Sequence, residues 1–302
     1  MLKWSKYFQS PEYLSVYRTM TLNNDYRELI SKWIGLTNGL KILDVGCGTG
    51  AFTYYLAKDT KNCDYYGIDI DETFICEAIK AIPDDMNCYN FILGDASELP
   101  FPDAYFDIVT SYTFLTNMPN GKKAMEEMKR VTKHNGIICS VTAQNFFNTG
   151  KFDGDYPISH SSYYHEYKAL KEEFENTYEL IQPSLEYVKY GTAPEIIPRL
   201  YVQCNLRDIK MYPLGWSYSL SNEVQNKEDK ENFIKTLTLA EKNKALAFSD
   251  LPEFYNHISK LKLERYLELL DIREKALLES VGENVIWEWE GGSQLLMVAR
   301  NE

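Results

Sequence analysis

The stretch Lys41-Ile-Leu-Asp-Val-Gly-Cys-Gly-Thr-Gly-Ala-Phe52 constrains this chain more than any other. Ile42, Leu43 and Val45 make the short apolar run of a strand buried on both faces. Gly46, Gly48 and Gly50 then remove side chains where the backbone has to turn sharply and approach a ligand closely. From Phe52 the pattern becomes helical, with Tyr55, Leu56 and Ala57 on the following turn. A strand, a Gly-x-Gly-x-Gly turn and a helix N-terminus together aim backbone N–H groups and a positive dipole end at whatever lies outside the strand. An α/β fold holding a nucleotide-like ligand at that turn is the expectation.

Two kinds of nucleotide fit. Gly46, Gly48 and Ala51 satisfy the dinucleotide pattern G-x-G-x-x-G/A, and Asp69 follows at a spacing near the roughly 20 residues at which an acidic side chain meets a ribose. On that pattern a nicotinamide-dependent oxidoreductase stays open. Asp44, two residues before the first glycine, favours a different ligand, because a carboxylate there repels a pyrophosphate and attracts an amino-acid ammonium.

The run from Asp44 resembles D-x-G-x-G-x-G, the first motif of the class I S-adenosylmethionine-dependent methyltransferases. Tyr65-Tyr-Gly-Ile-Asp-Ile-Asp71 resembles the second strand of that family, Phe91-Ile-Leu-Gly-Asp-Ala96 the third strand and its loop. Leu99-Pro-Phe-Pro-Asp-Ala-Tyr-Phe-Asp-Ile-Val109 is similar to the L-P-F-x-D-x-x-F-D-x-V run of the methyltransferase type 11, ubiquinone-biosynthesis-like branch. The matching region, from about Leu40 to Thr142, is roughly a third of the chain.

The resemblance implies a Rossmann-like fold: a seven-stranded, mostly parallel sheet with an antiparallel last strand, here with helical insertions. It implies S-adenosylmethionine as methyl donor and S-adenosylhomocysteine as product. Asp44, Gly46, Cys47, Gly48, Thr49 and Gly50 would form the donor's turn. Asp69, followed by Ile70, would accept both ribose hydroxyls; Asp95 would take the adenine amino group and the Ala96 N–H a ring nitrogen. Ser111 and Tyr112, ending the fourth strand, would border the donor methyl and the acceptor. Each aspartate has a plainer reading as a helix cap or turn residue, and the glycines as a tight connection; their order and spacing argue for a cofactor site.

Composition narrows the class of acceptor. With 44 acidic against 32 basic residues and a net charge of −12, the chain lacks the cationic surface that gripping nucleic-acid phosphates needs, so a small organic molecule is the expected substrate. The N-terminal segment has no apolar core of a signal peptide, and no apolar run approaches a membrane span, which points to a cytoplasmic protein. Six scattered cysteines without a C-x-x-C pair suggest reduced thiols and no metal site. Cys47, inside the turn, reads as a small packing residue rather than a nucleophile.

Residues 1–37 read as an aromatic-rich helical cap, with Asp25 to Ile34 its best helix, and 38–302 as the catalytic domain. Strands are expected at 41–45, 65–69, 89–93, 106–111 and 136–142, helices at 50–58, 72–81 and 120–133, the last ended by Asn135-Gly136. Its buried stripe is Ala124, Met125, Met128 and Val131, and His134 would sit at its C-terminus, where the dipole welcomes a cation. After a helix at 195–204, strand 207–213 would pair antiparallel with the last strand, 294–300.

Two insertions, about 146–193 and 214–291, have the character of lid or substrate regions. The second is helical, with Leu237, Leu246, Phe254, Ile258, Leu261, Leu267, Leu270 and Leu277 at roughly helical spacing. If the acceptor loses a proton, His160, Tyr163, Tyr164 and His165 are the densest group of bases, although core packing or exposure is the plainer reading of each; His257 reads as structural or exposed. Phe146, Phe147, Tyr212, Trp216 and Tyr218 are aromatic candidates for an acceptor pocket. Tyr7, Tyr13, Tyr17 and Arg18 are their N-terminal counterparts, Arg18 as a partner for the methionyl carboxylate. A non-catalytic module that binds S-adenosylmethionine and docks a partner through 214–291 is a further reading.

Overall fold

The structure is a computed structural model and describes residues 4–144, 151–154, 161–181, 196–219, 226–281 and 287–302. In chain order its elements are α1 (Trp4–Tyr7), α2 (Pro11–Thr21), α3 (Asn24–Trp33), β1 (Lys41–Val45), α4 (Ala51–Ala57), β2 (Asp64–Asp69), α5 (Glu72–Lys80), β3 (Cys88–Leu93) and β4 (Phe106–Tyr112). These are followed by α6 (Gly121–Val131), β5 (Thr132–Gln144), β6 (Lys151–Gly154), α7 (Ser162–Ile181), α8 (Ile197–Gln203), β7 (Arg207–Ser219), α9 (Lys227–Ser249), α10 (Lys260–Ser280) and β8 (Trp287–Arg300). The chain divides into two compact units.

The larger unit comprises residues 21–147, 188–216 and 293–302. Its strands run in the order β3-β2-β1-β4-β5-β8, with β7 also paired to β8. β1 through β5 are mutually parallel and β8 runs antiparallel to β5, which is the expected seven-stranded arrangement. Strand order reverses between β1 and β4, and such a switch point leaves a crevice beyond the carboxyl ends of the strands, where the glycine turn emerges.

Both faces of the sheet are covered, as the unbroken apolar run of β1 requires. Leu43, Val45 and Val109 pack with Met125, Met128 and Val131 of α6 and with Leu200 and Tyr201 of α8. Ile42 and Ile108, on the other face, pack with Phe52, Tyr55 and Leu56 of α4 and with Ile30 and Ile34 around α3.

The Leu99–Val109 segment closes one end of this sheet through polar contacts. Arg130 uses all five N–H donors: two on Glu127 at 2.8 Å, one each on the Leu99 and Phe101 carbonyls at 2.9 and 2.8 Å, and one on Asp103 at 2.7 Å. Asp107 accepts from the Lys41 N–H at 2.9 Å and from Lys133 Nζ at 2.7 Å, pinning the start of β1 to β4.

Three expectations are corrected. Helix α6 ends at Val131, because Thr132 is already extended, pairs with Phe106 and donates its hydroxyl to the Met128 carbonyl at 2.6 Å. Asn135, at φ 61°, therefore makes a kink inside β5 rather than a helix stop, and its N–H donates to the Asn301 carbonyl at 2.7 Å. His134 is an exposed residue of that strand, two residues beyond Thr132, the C-cap of α6. Strand β7 continues to Ser219, past the expected end near 213.

The smaller unit comprises residues 1–20, 148–187 and 217–292, so the N-terminal segment expected to act as one cap is shared between the two units. In it β6 pairs antiparallel with the beginning of β8. Its core is aromatic: Tyr164, Tyr167, Leu170, Phe174, Tyr178 and Ile181 recur every three or four residues along α7. Phe174 stacks on Tyr266 at 4.3 Å, while Glu241 accepts from the Tyr266 hydroxyl and lies 3.2 Å from Lys171. The expected stripe holds in part: Phe254, Ile258, Leu270 and Leu277 are buried, whereas Leu246 and Leu261 are exposed, and α10 also buries Leu263, Tyr266 and Leu269. The turn at Pro252–Asn256 separates α9 from α10 and resets the helical phase between them.

Candidate functional site

Beyond β1 the backbone reverses on three left-handed glycines, with φ of 69°, 54° and 76° at Gly46, Gly48 and Gly50. At Gly46 the need is also steric, since a Cβ would lie 2.1 Å from the ring of Phe114. The Gly46 and Cys47 N–H groups both donate to the Ile68 carbonyl, at 2.8 and 3.0 Å, which ties the turn to β2. Gly50 caps α4 and donates to the Cys47 carbonyl at 3.0 Å. Thr49 is the half-buried residue between them.

Carboxylates surround this turn. Asp44 is 1 % exposed and accepts from the Thr53 hydroxyl at 2.8 Å. Asp69, half-buried at the end of β2, accepts from the Gly48 N–H through one oxygen at 2.9 Å and from the Asp71 N–H through the other at 3.0 Å. Burial pushes the Asp69 carboxyl up to about 6 from its ordinary 3.8, the Asp71 and Gly48 hydrogen bonds opposing the shift. Asp71, also buried, caps α5 by accepting from the Thr73 N–H at 3.0 Å. Cys47 is buried between these charges, and its thiol is pushed well above its ordinary value by burial and then by Asp69 and Asp44, the opposite of what a nucleophile needs.

The other predicted residues divide into several groups. Asp95 is exposed on the loop after β3 and accepts from the Ser97 N–H at 2.7 Å, as a turn residue does; Ala96 beside it is buried. Ile70 follows Asp69 directly and is half-buried. Ser111 is fully buried at the end of β4, and its hydroxyl has no hydrogen-bond partner among the described residues. Tyr112 points into the core on the α4 side, its hydroxyl donating to Gln294 at 2.8 Å and its ring 4.9 Å from Phe52.

Tyr163, Tyr164 and His165 all lie on α7 of the smaller unit, Tyr164 in its core and His165 exposed; His160 lies outside the described residues, as do Phe146, Phe147 and the side chain of Tyr218. Tyr212 stacks on Trp33 at 4.1 Å and belongs to the core. Trp216 is half-buried in the second half of β7. Tyr7 meets Phe248 edge-on at 5.7 Å in the smaller unit, where Tyr13 and Tyr17 stack and Arg18 lies on α2.

Two residues around the turn escaped the sequence reading, Thr53 beneath it and Phe114 against it. Thr53 had a signal available, a hydroxyl one helical turn after Gly50; Phe114 had none, because its contact with Gly46 depends on the β1–β4 pairing. Among the described residues no group of three or more His, Cys, Asp or Glu is arranged to hold a metal ion. No described helix is long and apolar enough to cross a membrane.

Residues 43–140 match a protein family described as a methyltransferase domain. Over 121 residues the chain is 39% identical to the demethylmenaquinone methyltransferase of Staphylococcus aureus, a match that covers 39% of this chain and 50% of that protein. The chain thus spans about half the length of the curated relatives it matches. Among solved structures, it is similar to a methyltransferase from an antibiotic biosynthesis pathway of Anabaena variabilis, with a TM-score of 0.51 and 19% identity over 93% of this chain and 98% of that one. It is similar as well to the phosphoethanolamine N-methyltransferase 2 of Haemonchus contortus in complex with phosphomonomethylethanolamine and S-adenosylhomocysteine, with a TM-score of 0.51 and 15% identity over 99% and 59% of the two chains. At these identities the structural likeness bears on the fold.

Proposed function

We propose, from a chain whose residues 43–140 match the methyltransferase-domain family, that it is a class I enzyme transferring a methyl group from S-adenosylmethionine to a small organic acceptor. The observation that carries this reading is the glycine turn's own anion. In a phosphate-binding turn the backbone N–H groups point at the ligand, whereas here the Gly48 N–H already donates to Asp69 and the carboxylate of Asp44 is buried beneath. A diphosphate would meet two carboxylates, which disfavours the nicotinamide alternative. A cationic amino acid joined to a ribose diol suits the same residues.

When bound, the donor supplies an electrophilic methyl on a sulfonium. The chain's part is binding, alignment and the exclusion of water. Asp69 keeps lone pairs beyond those engaged by Gly48 and Asp71 and would accept the ribose hydroxyls from them. The turn, where side chains at 46 and 50 would strike Phe114 and Tyr54, would lie against the amino-acid arm. Asp95 and Ala96 would face the adenine. Ser111, with its unpartnered hydroxyl, would border the reacting groups. Acceptor choice is assigned to the parts of the chain outside residues 43–140, and no general base is assigned.

Calorimetric titration with S-adenosylmethionine, S-adenosylhomocysteine and NADH tests the reading. Binding of the first two alone supports it, and binding of NADH alone overturns it. Turnover of any acceptor in a screen of small amines, phenols and quinols separates an enzyme from a non-catalytic module that only binds the donor.

A further inference from the structure

We propose that Thr53 is a positioning residue: its hydroxyl clamps the buried Asp44 carboxylate beneath the glycine turn, and through Asp44 it sets the affinity of the turn for an ammonium group. The proposal rests on the methyl-donor reading above and assigns a role to a residue that does not itself touch the donor.

The bond spans the turn. Asp44 precedes Gly46 on β1, and Thr53 follows Gly50 in the first turn of α4, so their 2.8 Å contact closes the loop that the three glycines form. Both side chains are 1 % exposed, so water cannot replace the donor if it is lost. A threonine in a helix ordinarily returns its hydroxyl to a carbonyl three or four residues back, as Thr177 does with Glu173 at 2.8 Å. The one hydrogen bond that Thr53 makes among the described residues runs across to the strand instead. In register Asp44 lies between Gly67 on β2 and Thr110 on β4, and Cys139 is partner to Thr110 on β5. The charge of Asp44 reaches the thiols of Cys139 and Cys47, each pushed up by burial first. A hydroxyl donated to one oxygen of a buried carboxylate fixes the orientation of that carboxylate. Valine has the shape of threonine without the donor, so Thr53→Val removes the clamp and little else.

Two probes separate positioning from mere support. S-adenosylhomocysteine carries the ammonium; 5′-methylthioadenosine has the same nucleoside thioether without the amino-acid arm. By calorimetry at pH 7.5, Thr53→Val is expected to weaken S-adenosylhomocysteine about tenfold or more and methylthioadenosine less than about twofold, and Thr53→Ser to restore the former to within about threefold of the parent. Equal weakening of both probes would reduce Thr53 to a structural residue, and unchanged affinities would remove it from the site; either overturns the proposal. Should the valine variant not fold, Thr53→Ser against Thr53→Ala isolates the hydroxyl with the same criteria. A parent protein that binds neither probe overturns the methyl-donor reading itself, and this proposal with it.

Discussion

Two segments of the larger unit carry equally specific sequence motifs, and they are built in opposite ways. Around Leu99–Val109 the polar groups are saturated from within: Arg130 spends five donors on Leu99, Phe101, Asp103 and Glu127, and Asp107 joins Lys41 to Lys133. Charges there meet opposite charges, and the Glu127 carboxyl sits below its ordinary value because Arg130 bonds to it. Around Asp44–Gly50 the carboxylates face one another and backbone N–H groups, Asp69 has no ion-pair partner among the described residues, and its carboxyl is shifted upward. A folded chain tolerates such a cluster at a cost in stability, and a cationic or hydroxylic ligand relieves that cost. A motif shared with a family can thus be a brace, and the candidate site is the place where a carboxylate is held against burial without an opposite charge beside it among the described residues, as Asp69 is.

The contrast can be broken by substitution. Gly46→Ala should have the largest effect, about 3 kcal/mol of stability by urea unfolding, since it combines a left-handed backbone with a Cβ 2.1 Å from Phe114. A loss below about 1 kcal/mol would mean that the turn is looser than described. Asp69→Asn should weaken S-adenosylhomocysteine about 100-fold in calorimetry at a cost of only about 1 kcal/mol of stability, because the amide keeps one acceptor oxygen and leaves either the Gly48 or the Asp71 N–H without its partner. Arg130→Met should do the reverse. The expected loss is about 2 kcal/mol of stability, from the orphaned Phe101 carbonyl and the lost bonds to Leu99 and Glu127, with affinity of the folded variant within about twofold. If Arg130→Met abolished binding in a folded protein, the brace would have to be counted as part of the site.

Acidification sharpens the same comparison. With its carboxyl near 6, Asp69 is charged at pH 7.5 and loses that charge below pH 6, so donor affinity should fall about tenfold per pH unit below that point. Its effect on folding has the opposite sign. Between 3.8 and about 6 the native state holds a proton that the unfolded chain has released, so the stability Asp69 contributes falls as pH rises through that window. Glu127, held below its ordinary value by Arg130, contributes stability at neutral pH that disappears as pH falls. Unfolding curves at pH 3.5, 5, 6 and 7.5 distinguish the two carboxylates, and affinity independent of pH between 5 and 7.5 would remove Asp69 from the ligand's contacts.

What was legible in the sequence was local. β1, the glycine turn, α4 and the acidic end of β2 are each written in a few consecutive residues, and each lies within two residues of its expected bounds. What was missed depends on pairing between distant segments. Nothing near Thr132 announces that Phe106 will draw it into β5, or that Asn301 will hold the kink at Asn135. In the helical unit the leucine periodicity was real, but the turn at Pro252–Asn256 breaks its phase, so a single stripe carried across it put Leu261 on the wrong face.

Tyr112 poses the same problem at the scale of one side chain, and its substitution should have the smallest effect. By position alone, at the end of the fourth strand, it belongs beside a bound donor. By contact it belongs to the core, because alternation along β4 sends Ser111 to the α6 face and Tyr112 to the α4 face, against Phe52, with its hydroxyl on Gln294 of β8. Tyr112→Phe keeps the ring and removes the hydroxyl that donates to Gln294 and, at 3.5 Å, to the Thr21 carbonyl, so it should cost about 1 kcal/mol in urea unfolding. Donor affinity should stay within about twofold, since neither lost bond reaches the turn. A tenfold loss of affinity with unchanged stability would show that position outranks contact here, and would move the boundary of the site one residue into what is now core.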